Sequence, residues 1–118
     1  METEDALTRM SAISTRSRLD VLRLLARDGG SKGMQSGEIA RRLDVPANTL
    51  STQLLHLSNA RLVRSRRESR NVIYSANLDS IRELIKFLAE DCAGGRLSVL
   101  VKDRKGLDPL RAVVGDSP

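Results

Sequence analysis

Apolar residues along this chain recur first with a helical period, then in alternation, then with a helical period again. Within Thr3 to Ile13, Leu7, Met10 and Ile13 fall three apart and predict a first helix carrying a narrow apolar stripe that needs a partner surface. From Ser17 to Arg27, Leu19, Val21, Leu22, Leu24, Leu25 and Ala26 leave little polar face. That segment reads as the central buried helix, ended by Gly29-Gly30. A loop over Ser31 to Gln35 leads to a short third helix whose Ile39, Ala40 and Leu43 share one face. Pro46 then disfavours helical geometry at Val45 and lacks a donor of its own. A fourth helix follows from Ala47 to Ala60, with Leu50, Leu54 and Leu57 on its inner side.

After Arg61 the period falls to two. Leu62 to Glu68 and Val72 to Ala76 alternate around the polar segment Ser69-Arg70-Asn71 and predict a β-hairpin. Asn77 or Asp79 can cap a fifth helix bearing Ile81, Leu84, Ile85 and Leu88 at i, i+3, i+4 and i+7, which Gly94-Gly95 stops. The expected organisation is one domain over 1–95, mainly α with a small β-hairpin, and a loosely held tail over 96–118. No repeat or low-complexity tract interrupts it.

Composition narrows the class. The chain has 118 residues, 40% of them apolar, enough for one hydrophobic core but short for two domains. Trp is absent and there is one Phe and one Tyr, so Leu, Ile, Val, Ala and Met must build the core. A formal net charge of +5 favours a polyanionic partner. The single cysteine, Cys92, excludes an internal disulfide framework. No apolar run approaches the roughly 20 residues that span a bilayer. The acidic start lacks the layout of a signal peptide, so a cytoplasmic protein with no membrane partner is expected.

Three helices, a helix-turn-helix among them and a hairpin directly after its second helix make a winged helix-turn-helix plan. A recognition helix must expose short hydrogen-bonding side chains near its start to reach base edges in the major groove. Asn48, Thr49, Ser51, Thr52 and Gln53 supply that face, and the amides of Asn48 and Gln53 can pair bidentately with adenine. The hairpin region Arg61 to Arg70 holds five Arg against one Glu. Arg64, Arg66, Arg67 and Arg70 are placed to meet phosphates or enter the minor groove, tasks that suit a planar, permanently charged group.

Ser36 to Ala76 resembles the arsenic-repressor (ArsR/SmtB) family of dimeric winged-helix regulators. The likeness rests on Leu50-Ser-Thr-Gln-Leu54, Leu57, Ala60-Arg-Leu-Val63 and the wing ending Val72-Ile-Tyr74, and extends over about residues 5–95. The family usually reads Ser-Arg-His-Leu where this chain has Ser51-Thr52-Gln53-Leu54, and Gly where it has Arg61. The resemblance implies a homodimer joined through the first and last helices and a repressor of a promoter operator in double-stranded DNA. Independently, Leu7, Met10 and Ile13 with Ile81, Leu84, Ile85 and Leu88 offer more apolar stripe than a three-helix core requires; the bland alternative is that they complete the monomer core.

The family's metal sites are not retained. Its Cys-Val-Cys pair falls at Gln35, Ser36 and Gly37, and its Asp-x-His pair begins at Asp79 but meets Ile81. Glu90-Asp-Cys-Ala-Gly-Gly95 resembles a subgroup with a Cys-Cys pair, yet Ala93 replaces the second thiol. No metal and no cofactor are therefore expected, and Cys92 is either an inert small apolar residue or a thiol sensor. His56, the only histidine, is expected to be a partly buried helix residue. No nucleophile, base and carboxylate set is evident, so the chain is not expected to be an enzyme. Alternatives to an operator-binding regulator are a protein-interaction module, a redox-responsive regulator acting through Cys92, and a nonspecific architectural DNA binder.

Overall fold

The computed structural model describes residues 1–96, which form five helices and a small sheet. Helix α1 spans Thr3–Ala12, with Glu4 and Asp5 in its first turn, where the helix dipole favours acids. Its last carbonyls are capped from outside: Arg18 donates from Nε to the Ala12 carbonyl at 2.6 Å and from Nη2 to the Ser11 carbonyl at 3.3 Å. Helix α2, Arg16–Leu24, starts at Thr15, whose hydroxyl accepts from the Arg18 amide at 3.3 Å. It widens into a π-helical stretch over Leu25–Gly29 before Gly30, at φ 56°, turns the chain away.

The expected loop over 31–35 ends in a strand. Met34–Gln35 forms β1 and pairs antiparallel with Tyr74 and Ile73. Gly33 makes this approach possible, since a Cβ there would lie 2.5 Å from the Tyr74 carbonyl oxygen and its φ is 78°. The predicted hairpin is present as β2, Val63–Glu68, and β3, Asn71–Ala76. The sheet thus has three antiparallel strands in the order β1-β3-β2, with Val63 opposite Ala76 and Glu68 opposite Asn71.

Helices α3, Ser36–Leu43, and α4, Ala47–Asn59, pack on α2. The core joins Val21, Leu22 and Leu25 of α2 to Ile39, to Leu50, Leu54 and Leu57, and to Met34, Leu62 and Val63. Leu19 and Leu24 are only half-buried and Ala26 is exposed, so α2 is central without being enclosed on every side. The last helix, α5, covers Leu78–Lys86 and continues as a π-helical stretch through Phe87–Cys92. Asn77 is its cap, accepting from the Ser80 amide at 3.3 Å.

The inward face of α1 differs from the predicted stripe. Ala6, Arg9 and Ala12 are buried, Met10 and Ile13 are half-buried, and Leu7 is 50% exposed. Arg9 reaches across to α5, where Nη1 donates to the Ser80 carbonyl and pairs with Glu83 Oε1, both at 2.9 Å. The arginine stem fills the contact between the two helices while its head satisfies polar groups on α5. Leu88, on the continuation of α5, also stays outside the core at 39% exposure. Beyond Arg96, the tail expected over 96–118 lies outside the described residues.

Candidate nucleic-acid interface

The turn between α3 and α4 is made by three residues, Asp44-Val45-Pro46. Asp44 adopts the left-handed conformation at φ 55°, and the Val45 amide donates back to the Ala40 carbonyl at 3.0 Å, a Schellman-type helix end. Pro46 holds φ near −62° and presents α4 with no side-chain cap. The first amides of α4 are therefore free of intrachain side-chain acceptors. Its first turn has no acidic residue, and no Asp or Glu occurs from Val45 to Arg67. Asp44, two residues before the Pro46 cap, is the nearest carboxylate in the sequence, and none lies within α4 to oppose the positive end of its dipole.

With Leu50, Leu54 and Leu57 buried, Asn48, Thr49, Ser51 and Thr52 are exposed on the opposite side of α4. The Ser51 hydroxyl donates to the Ala47 carbonyl at 3.0 Å and the Thr52 hydroxyl to the Asn48 carbonyl at 3.3 Å. Each hydroxyl spends its proton within the helix and offers lone pairs outward, suiting it to accept from an amino group on a base edge. Gln53 differs in being half-buried, and it shares with Asn48, Thr49, Thr52 and His56 an open depression of about 390 Å³ that Thr15, Ser17 and Arg18 close from the α2 side. His56 is exposed, not partly buried as its flanking leucines suggested. The reason is rotational, because burial of positions 50, 54 and 57 turns position 56 toward α2 and solvent.

The end of α4 fixes where the wing begins. Arg61 takes φ 62°, and the Leu62 amide donates to the Leu57 carbonyl at 2.9 Å. Asn77 then binds the base of the hairpin twice, through its amide to the Leu62 carbonyl at 2.8 Å and through Nδ2 to the Arg61 carbonyl at 2.9 Å. The wing is thereby clamped to the recognition helix at one end and to the start of α5 at the other.

All four predicted wing arginines are exposed, but they are not equivalent. Arg66 is held by Glu68 at 2.8 Å and donates to the Lys32 carbonyl at 2.7 Å, bracing the hairpin against the β1 loop. Arg64 lies 3.8 Å from Asp79. Arg67 and Arg70, at the distal end and tip, have no ion pair or side-chain hydrogen bond among the described residues. The two-residue tip places Ser69 at φ 55°. Two arginines therefore face solvent uncommitted, while two already have partners.

Cys92 is exposed at the end of the α5 continuation. Among the described residues no three of His, Cys, Asp and Glu are grouped to hold a metal ion, and no helix is long and apolar enough to cross a membrane.

Comparison with known proteins agrees with this architecture. Residues 13–66 match the model of a helix-turn-helix domain family. An ArsR-like transcriptional regulator from Rhodococcus sp. RHA1 superposes with a TM-score of 0.69 at 21% identity, over 88% of this chain and 96% of that one. NolR from Sinorhizobium fredii gives 0.59 at 28% identity, over 75% and 84%. The homodimeric winged helix-turn-helix DNA-binding domain of Mb0332 from Mycobacterium bovis, a possible ArsR-family regulator, gives 0.60 at 24%, over 86% and 89%. No protein of curated function matches the sequence. The chain is a winged helix-turn-helix protein carrying the hairpin directly after its recognition helix. The solved structures that share this fold include an ArsR-like transcriptional regulator, the family that the motifs in 36–76 resemble.

Proposed function

We propose that this protein is a sequence-specific repressor that binds promoter operator DNA as a homodimer in the cytoplasm. One observation carries the reading: an exposed row of short polar side chains on α4, a helix with no acidic residue, is followed by a hairpin with two arginines that have no partner among the described residues. Asn48, Ser51 and Thr52 read base edges in the major groove, while Thr49 and Gln53 border the groove wall toward α2. Arg67 and Arg70 meet phosphates of the flanking backbone, and Arg64 and Arg66 orient the wing as well as adding charge.

Dimerisation is supported by the exposed Leu7 of α1 and Leu88 beyond α5, on two helices that Arg9 ties together, and by the homodimeric state of the Mb0332 domain. A two-fold pair presents its recognition helices to half-sites about one DNA turn apart. Selection from a random duplex pool, with sedimentation of the protein and of the complex, tests this. The expected product is a palindromic site bound by two chains. A pool that stays random after repeated rounds at moderate salt would leave the winged helix as a protein-interaction or nonspecific module. Repression follows if the selected site overlaps a promoter and blocks transcription from it.

A further inference from the structure

Among large apolar side chains of the described residues, Leu55 is the most exposed, at 60%. It is not one of the residues that form the core, and its position on α4 is specific. Leu55 follows Thr52 by three residues, Ser51 by four and Asn48 by seven, so at about 100° per residue all four lie on one outward stripe. The helix rises about 1.5 Å per residue, which places Leu55 about 10.5 Å beyond Asn48 along the axis. That is about three base-pair steps of 3.4 Å. The polar members of the stripe offer hydrogen bonds to amino and carbonyl groups, and apart from the small methyl of Thr52 only Leu55 offers apolar surface to meet a methyl. In the major groove one base alone carries such a group, the C5-methyl of thymine, and apolar contact is how proteins detect it.

We propose that Leu55 is a specificity residue that packs on a thymine methyl about three base pairs from the base contacted by Asn48. The inference rests on the DNA-binding reading above and assigns to that surface an apolar contact at its far end. Burying one methyl against Leu55 is worth roughly a fourfold preference for thymine over deoxyuridine in each half-site. In a symmetric dimer, two such contacts multiply to roughly fifteenfold.

The test uses the full chain and the duplex obtained by selection. Each thymine is replaced in turn by deoxyuridine, which removes the methyl and keeps the pairing edge, and affinity is read by fluorescence anisotropy for wild type and Leu55→Ala. The wild type should weaken about fourfold at one thymine per half-site, and Leu55→Ala should be indifferent at that thymine while keeping its response elsewhere. The inference is overturned if no thymine responds, or if Leu55→Ala keeps the full response. It is also overturned if that substitution breaks the dimer in sedimentation, which would make Leu55 a subunit contact. Failure to select any duplex would instead remove the DNA-binding reading itself, and this inference with it.

Discussion

Arg67 and Arg70 offer the sharpest quantitative consequence of the wing geometry. Both are exposed and have no ion pair among the described residues, so a phosphate that meets either one displaces counterions without breaking such a pair. Each phosphate contact contributes about 0.9 to the slope of log affinity against log salt concentration. Replacing both residues by Ala in both subunits removes four contacts, so the slope should fall by about 3.6. At 0.15 M salt the same relation gives about fivefold per contact, and an affinity loss on the order of 1000-fold for the four. Arg64 and Arg66 should behave differently, because Asp79 and Glu68 already hold them at 3.8 and 2.8 Å and must be replaced by phosphate. Their double replacement should lower the slope by less than half as much. The assay is anisotropy titration on the selected duplex from roughly 0.05 to 0.3 M salt. Equal slopes for the two double variants would refute the distinction between free and held arginines. An unchanged slope in both would refute wing contact with phosphate altogether.

Three further consequences concern the scaffold. Arg9→Met keeps the apolar stem but loses the donor to the buried Ser80 carbonyl, so urea unfolding should show a loss of about 2 kcal/mol; the exposed Glu83 end of the pair adds little. An unchanged midpoint would show that α1 and α5 do not depend on this bridge. Ser80→Ala should be neutral or stabilising by up to about 1 kcal/mol, because the buried Ser80 hydroxyl has no hydrogen-bond partner among the described residues; a loss of similar size would mean the hydroxyl is satisfied. Arg61→Gly should raise stability by about 0.5–1 kcal/mol, since a non-glycine residue at φ 62° is strained and both backbone bonds there survive the change. A lowered melting temperature would indicate that the Arg61 side chain does more for the fold than its backbone strain costs.

The recognition helix and hairpin were legible because each announces itself locally, by the 50, 54, 57 spacing and by the switch to alternation after Arg61. Even the strain at Arg61 shows in the residues, where Gly is the usual occupant of that place in the resembling family. Strand β1 was not legible, for two residues carry no period and its partners Tyr74 and Ile73 lie far along the chain. Gly33 was its one local mark, and a glycine in a loop reads as a turn before it reads as close packing. Arg9 was missed because a buried arginine looks like a surface residue until its two acceptors on α5 are in place. The polar face of α4 was legible as a whole and less so position by position. Gln53 and Asn48 look alike in sequence, yet rotation about the helix leaves one half-buried beside α2 and the other exposed. The same rotation, unseen in a hydropathy pattern, puts Leu55 in line with the polar stripe.

The central claim is that α4 reads sequence, and the ratio of affinities for the selected duplex and a scrambled duplex of equal composition tests it directly. Wild type should prefer the selected duplex by at least about 1000-fold at moderate salt. The triple variant Asn48→Ala, Ser51→Ala, Thr52→Ala, whose side chains are exposed and outside the core, should lose most of that preference while still binding scrambled DNA through its wing. A triple variant that keeps the wild-type ratio would contradict the account, because sequence would then be read somewhere other than the outward face of this helix.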